Sequence, residues 1–140
     1  KKMPVVEELI RTEQDGTISF GNYKLGQKSK KSDFEYQGDI YKVKTYNEIT
    51  KLERNGSFVY ESVPGTAVEH FSAKHDGVEF TVSGDKDAQI TIQLEDDTEY
   101  EVYVDGVAVG GMKTNMSGKL SVSVELEEGT SVKVKAVKRA

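Results

Sequence analysis

Phe71-Ser72-Ala73-Lys74-His75-Asp76-Gly77-Val78-Glu79-Phe80-Thr81-Val82 decides the fold class. Asp-Gly suits a two-residue hairpin turn, because both central residues tolerate positive φ. On either side apolar and polar residues alternate, the period-2 pattern of a sheet with one buried and one wet face. A turn at Asp76-Gly77 sets His75 opposite Val78, Ala73 opposite Phe80 and Phe71 opposite Val82. The same grammar recurs outward along the chain. Asp15-Gly16, Asn55-Gly56 and Asp105-Gly106 are further turn signals, with Ser117-Gly118 and Glu128-Gly129 weaker ones. Ile90, Ile92 and Leu94 alternate, as do Leu120, Val122, Val124 and Leu126. No long helical stripe is present; only Val5 to Arg11 could form a helical turn or two.

The expected fold is all-β, an N-terminal antiparallel meander packed on a C-terminal Ig-like, Greek-key sandwich. Strands are expected at 8–14, 17–25, 39–46, 48–54 and 57–62, with the Lys-rich Gly26–Ser32 stretch as a mobile loop. Seven more follow at 67–74, 77–83, 88–94, 99–105, 107–112, 119–126 and 130–138. A composition shift near Val63-Pro64-Gly65-Thr66 divides an aromatic-rich subregion, 1–65, from a small seven-stranded sandwich, 66–140. The first holds eleven Lys/Arg, ten Asp/Glu and eight of the twelve aromatics, the second eight Lys/Arg and fourteen Asp/Glu, so the charges are +1 and −6. Neither part can bury a generous core alone, and both should pack as one unit.

Composition narrows the function classes. With 140 residues, 36% hydrophobic and 31% charged, the chain is expected to fold and is too short for a large multidomain enzyme. The absence of cysteine removes disulfide scaffolds, thiolate metal sites and cysteine nucleophiles. A net charge of −5 argues against nucleic acid as a partner. No apolar run approaches membrane-spanning length, and Lys1-Lys2-Met3-Pro4-Val5-Val6 is too short for a signal-peptide core. A cytoplasmic location is the expectation, or a secreted or cell-surface one if a leader has been removed.

The residues offer little catalytic chemistry. Five positions apart on a strand, His70 and His75 point to opposite faces and cannot share a metal without a bulge. Asp85 and Asp87 lie at one end of the 88–94 strand, and Glu95, Asp96, Asp97 and Glu99 at the other. These read as solvated loop charge, with a weak calcium site as the alternative. Gly106 to Gly111 has three glycines but no following Lys-Ser/Thr, so it marks a kink or bulge rather than a phosphate loop. No cofactor or metal is expected.

The Asn55-Gly56 hairpin is different. A regular two-residue turn puts Phe58 and Tyr60 opposite Glu53 and Lys51 on one face and Leu52 opposite Val59 on the other. Both faces are then apolar. With Tyr23, Tyr36, Tyr41, Tyr46 and Tyr60 all in the first part, this two-faced ribbon suggests a surface built from Tyr41, Tyr46, Phe58 and Tyr60. Self-association of the chain through that surface is the expected function. A carbohydrate-binding accessory role is the alternative, for which Tyr103 alone of Phe71, Phe80, Tyr100 and Tyr103 falls on an outward register.

Two resemblances bear on function. Tyr100-Glu101-Val102-Tyr103-Val104-Asp105-Gly106-Val107 and Gly118-Lys119-Leu120-Ser121-Val122-Ser123-Val124 resemble strand pairs of small β-sandwich modules appended to bacterial polysaccharide-active and cell-surface proteins. Glu7-Glu8-Leu9-Ile10-Arg11-Thr12-Glu13, Asp15 to Tyr23, Tyr41-Lys42-Val43-Lys44-Thr45, Glu48 to Gly56 and Phe58 to Val68 are similar to a family of short clostridial gut proteins that carry the label "endosialidase". That second resemblance implies a sialic-acid-directed hydrolase. Such an enzyme clamps the sugar carboxylate with arginines, and the chain offers Arg11, Arg54 and Arg139. No catalytic motif of the label maps onto these residues.

Overall fold

The computed structural model describes residues 5–139; Lys1 to Pro4 of the leading stretch lie outside them. The described chain is all-β, with thirteen strands in two antiparallel sheets packed together. In chain order these are β1 Ile10–Thr12, β2 Ile18–Phe20, β3 Ser29–Tyr36, β4 Asp39–Tyr46, β5 Ile49–Arg54, β6 Ser57–Val63, β7 Ala67–Lys74, β8 Gly77–Ser83, β9 Ala88–Gln93, β10 Glu99–Val104, β11 Val107–Lys113, β12 Lys119–Val124 and β13 Ser131–Lys138. One sheet runs β1-β2-β7-β8-β13-β10-β11 and the other β12-β9-β6-β5-β4-β3.

All seven strands expected after residue 66 are present within two residues of their expected ends where these differ. Three features of the first part differ from the sequence expectation. The expected helical turn at Val5 to Arg11 is absent: residues up to Leu9 form a turn, closed by the Leu9 N–H donating to the Val6 carbonyl (3.0 Å), and Ile10 and Arg11 already belong to β1. The expected strands 8–14 and 17–25 shorten to β1 and β2, because Leu9 and Gly21 at their outer ends take positive φ. Residues 29–32 of the expected loop belong to β3, a charged edge strand whose turn into β4 is Gln37-Gly38, both at positive φ (52° and 83°).

The division at residue 65 falls inside the sandwich. Across it β2 pairs with β7 and β6 with β9, so each sheet takes strands from both sides. Gly65 is itself buried, and a Cβ on it would lie 2.0 Å from the Tyr46 carbonyl oxygen. The following residue, Thr66, is wholly buried and hydrogen-bonded: its N–H donates to Thr50 Oγ1 (3.0 Å) and its carbonyl accepts from the same hydroxyl (2.7 Å). This segment is part of the core rather than a linker.

The core explains the aromatic surplus. Phe20, Tyr60, Phe71 and Phe80 come from β2, β6, β7 and β8, two of them on each side of residue 65. Tyr60 meets Phe20 at 5.2 Å, Phe71 at 6.3 Å and Phe80 at 5.7 Å, all edge-to-face, the geometry the ring quadrupoles favour. Around them lie Ile18, Val43, Leu52, Val82, Ile90 and Val134, each at most 1% exposed.

Candidate interaction surface

The four residues expected to form a surface are not brought together. A bulge at the Asn55-Gly56 hairpin is responsible. Arg54 pairs with Ser57 and Glu53 with Phe58, as a two-residue turn requires, but the register then shifts so that Leu52 faces Tyr60. That one-residue slip turns Tyr60 inward beside Leu52, and both are 0% exposed. The ribbon therefore lacks the second apolar face expected of it. Tyr41 is also buried, edge-on to Tyr36 at 5.6 Å. Tyr46 and Phe58 are half-buried but belong to different ends of the sheet: Tyr46 faces Ile49 across the β4–β5 turn, and Phe58 sits by the Asn55-Gly56 tip. The Lys119 ammonium lies 4.5 Å over the Phe58 ring.

The β7–β8 hairpin is also displaced from its expected register. Lys74 pairs with Gly77 and Ala73 with Val78, so His75 and Asp76 form the loop. Gly77 serves packing instead of the turn: a Cβ there would lie 2.1 Å from the Ala136 carbonyl oxygen on the neighbouring strand β13. A bulge between Glu69 and Ser72 sets Val68, rather than the expected Phe71, opposite Val82 and leaves His70 at φ 55° on the outer face.

That bulge is held by a polar network from the β1–β2 hairpin. His70 Nδ1 is 3.0 Å from Asp15 Oδ2 and 3.2 Å from Thr17 Oγ1. Its backbone N–H donates to Ser19 Oγ (3.1 Å), whose hydroxyl donates to Glu13, and Glu13 also accepts from Arg11 Nε (3.0 Å). Hydrogen bonds from the Thr17 hydroxyl and N–H hold the Asp15 carboxyl below its usual range. Burial alone would raise the Glu13 carboxyl, but the Ser19 and Arg11 hydrogen bonds outweigh it and lower it. A carboxyl depressed in the folded state stabilises above its unfolded pKa and loses that contribution as pH falls through the folded value. Glu13→Gln should therefore cost about 1 kcal/mol at neutral pH, and the difference from the unsubstituted chain should vanish in acid. Urea melts at pH 7 and below pH 3 check this; a pH-independent difference would contradict it.

The other sequence candidates are dispersed. Asp87 accepts from the Leu126 N–H (3.0 Å), Glu95 pairs with Lys138 (2.8 Å) and Asp97 with Lys113 (3.2 Å). Among the described residues no group of three His, Asp or Glu side chains stands at metal-holding spacing. Arg11 lies on β1, Arg54 at the end of β5, and Arg139 just after β13 with its guanidinium facing Glu99 and Glu101.

Two surface features remain. The outer face of the seven-stranded sheet carries a shallow groove of about 720 Å³ around Tyr103, lined by Glu79, Glu101, Lys133, Lys135 and Arg139. Lys133 pairs with Glu79 at 2.7 Å and Arg139 with Glu101 at 3.5 Å, and Lys135 and Lys138 complete a lining of four cations against two carboxylates. A second hollow, about 700 Å³, opens where the ends of β6, β9 and β12 approach β10 and β11. Exposed Val63 and Val109 line it with Val104, Val124 and Glu125. No protein-family model, curated protein or solved structure matches the chain.

Proposed function

We propose that the chain is a non-enzymatic β-sandwich interaction protein that acts by associating with further copies of itself. The observation carrying this reading is the hollow beside β11 and β12, where Val63 and Val109 are about half exposed (52% and 48%) next to two sheet edges. Apolar side chains gathered beside open sheet edges are the surface a two-layer sandwich covers by pairing with another strand. Tyr41 and Tyr60 contribute through the core, where they fix the sandwich whose edges are offered. Sedimentation velocity of the pure chain, from about 1 μM to 1 mM, should show a concentration-dependent shift from monomer to dimer. A strict monomer across that range would refute self-association.

A second reading is favoured by the Tyr103 groove. A half-buried tyrosine beside four cationic and two acidic side chains offers a ring and several hydrogen-bonding groups, which suits a saccharide. A sialic-acid hydrolase finds less support, since the three arginines stand on separate elements and two of them already face carboxylates.

A further inference from the structure

Resting on the self-association just proposed, we infer that the second copy is added at β12, antiparallel and centred on Val122, so that two six-stranded sheets become one continuous sheet.

The four sheet edges are not equivalent. β1 has only three residues and carries Arg11. β3 carries Lys30, Lys31, Asp33 and Glu35, and its pairing with β4 is broken by a bulge where Asp33 takes positive φ. β11 is bulged at Val109, with Gly110 at φ 122° beside it. Shortness, charge and bulges are the devices by which sheet edges avoid adding strands. β12 is the least protected of the four, with only Lys119 at its start charged and tied to Asn115 through its backbone. Its six residues pair with β9 without a register shift, and β9 is its ladder neighbour on one side only.

Chemistry selects the copy and the register. In an antiparallel pair, directly opposite residues share a face. Centring on Val122 sets Leu120 opposite Val124 of the second copy and Val122 opposite Val122. The buried rows of the two sandwiches therefore run on into each other. On the outer face Ser121 meets Ser123, and Lys119 comes opposite the exposed Glu125, twice by symmetry, its ammonium turning from Gln93 Oε1 (3.3 Å) and the Phe58 ring to reach it. Centring one residue earlier leaves Lys119 facing Ser123. Centring one residue later runs the pairing into the turn closed by the Thr130 N–H on the Glu127 carbonyl. The chosen register also carries the turn before β12 of the second copy, where Met116 is 89% exposed, toward the Glu125 end of the hollow.

The test exploits the absence of cysteine. Ser121→Cys and Ser123→Cys proteins, mixed at equal concentration under mild oxidation, should give a disulfide-linked dimer in far higher yield than either alone, because these two positions face each other across the pair. Independently, Lys119→Glu or Glu125→Lys should weaken dimerisation about tenfold by opposing like charges, and the double swap should restore it to within about twofold. Glu125→Lys is the cleaner single variant, since Lys119 also covers Phe58. Dimers that form but ignore both swaps and do not cross-link in the mixture overturn the β12 assignment while leaving self-association standing. Preferential cross-linking of Ser121→Cys with itself overturns the register. A chain that stays monomeric at every concentration overturns the reading on which both rest.

Discussion

Tyr60→Ala is expected to reduce unfolding free energy by about 3–5 kcal/mol, the range for deleting a large aromatic from a core that cannot collapse. The side chain is 0% exposed and stands edge-on to three other rings contributed by β2, β7 and β8. Its hydroxyl is 2.8 Å from Thr66 Oγ1, which is itself 2.8 Å from Ser62 Oγ. Two more buried hydroxyls, Thr50 and Thr45, lie 2.8 Å apart and anchor the backbone of Thr66 and Asn22. Truncation therefore opens a void among the rings and strips one member from a buried polar group. Tyr60→Phe separates the two effects: it keeps the ring and should cost about 1 kcal/mol for the lost hydroxyl contact. Burial also raises the Tyr60 hydroxyl pKa well above the ordinary tyrosine value, so it stays protonated while the fold persists. Urea unfolding of the three proteins checks the order. A Tyr60→Ala chain within about 1 kcal/mol of the unsubstituted one would show that the ring sits at a surface, as the simple hairpin register implied.

That register shows where sequence reading stops. Asn55-Gly56 does form a turn with both residues at positive φ, and Asp105-Gly106 does the same. Local turn chemistry is legible because it depends on two residues. The bulge two positions later is not, because its cause is non-local: it brings Tyr60 onto rings 11 to 40 residues away. A similar cause displaced the β7–β8 register, where Gly77 answers the carbonyl of Ala136 some 59 positions on. β3 was hidden differently. Its lysines and acids erase the apolar alternation since little of an edge strand is buried, and its one local signal was Gln37-Gly38, a weaker hairpin dipeptide than Asn-Gly. Aromatic content within 1–65 points to a surface, whereas Phe71 and Phe80 from beyond that range complete a buried cluster with Phe20 and Tyr60. β12, by contrast, was visible as an alternating strand, but its place at an edge follows only from the pairing order.

Cleaving the chain at Gly65 should abolish the native fold of both pieces. The 66–140 piece keeps β7, β8, β13, β10 and β11 side by side, but only β9 and β12 remain to cover them. Phe71 and Phe80 then lose Phe20 and Tyr60, and two apolar sheet faces meet water. With a charge of −6 this piece should stay soluble while melting with little cooperativity. The 1–65 piece keeps the β3–β6 sheet and the β1–β2 hairpin without their partners. It is near neutral, and Val43, Leu52 and Tyr60 would lie uncovered, so it should aggregate. The intact chain should unfold in one transition, because β2–β7 and β6–β9 pairing makes neither half stable without the other. Mixing the pieces from denaturant should recover part of the native circular dichroism, as the ladders across the cut re-form. Two well-separated transitions in the intact chain, together with a folded and monomeric 1–65 piece, would mean that the halves are independent and that the interleaved sheets do not govern stability.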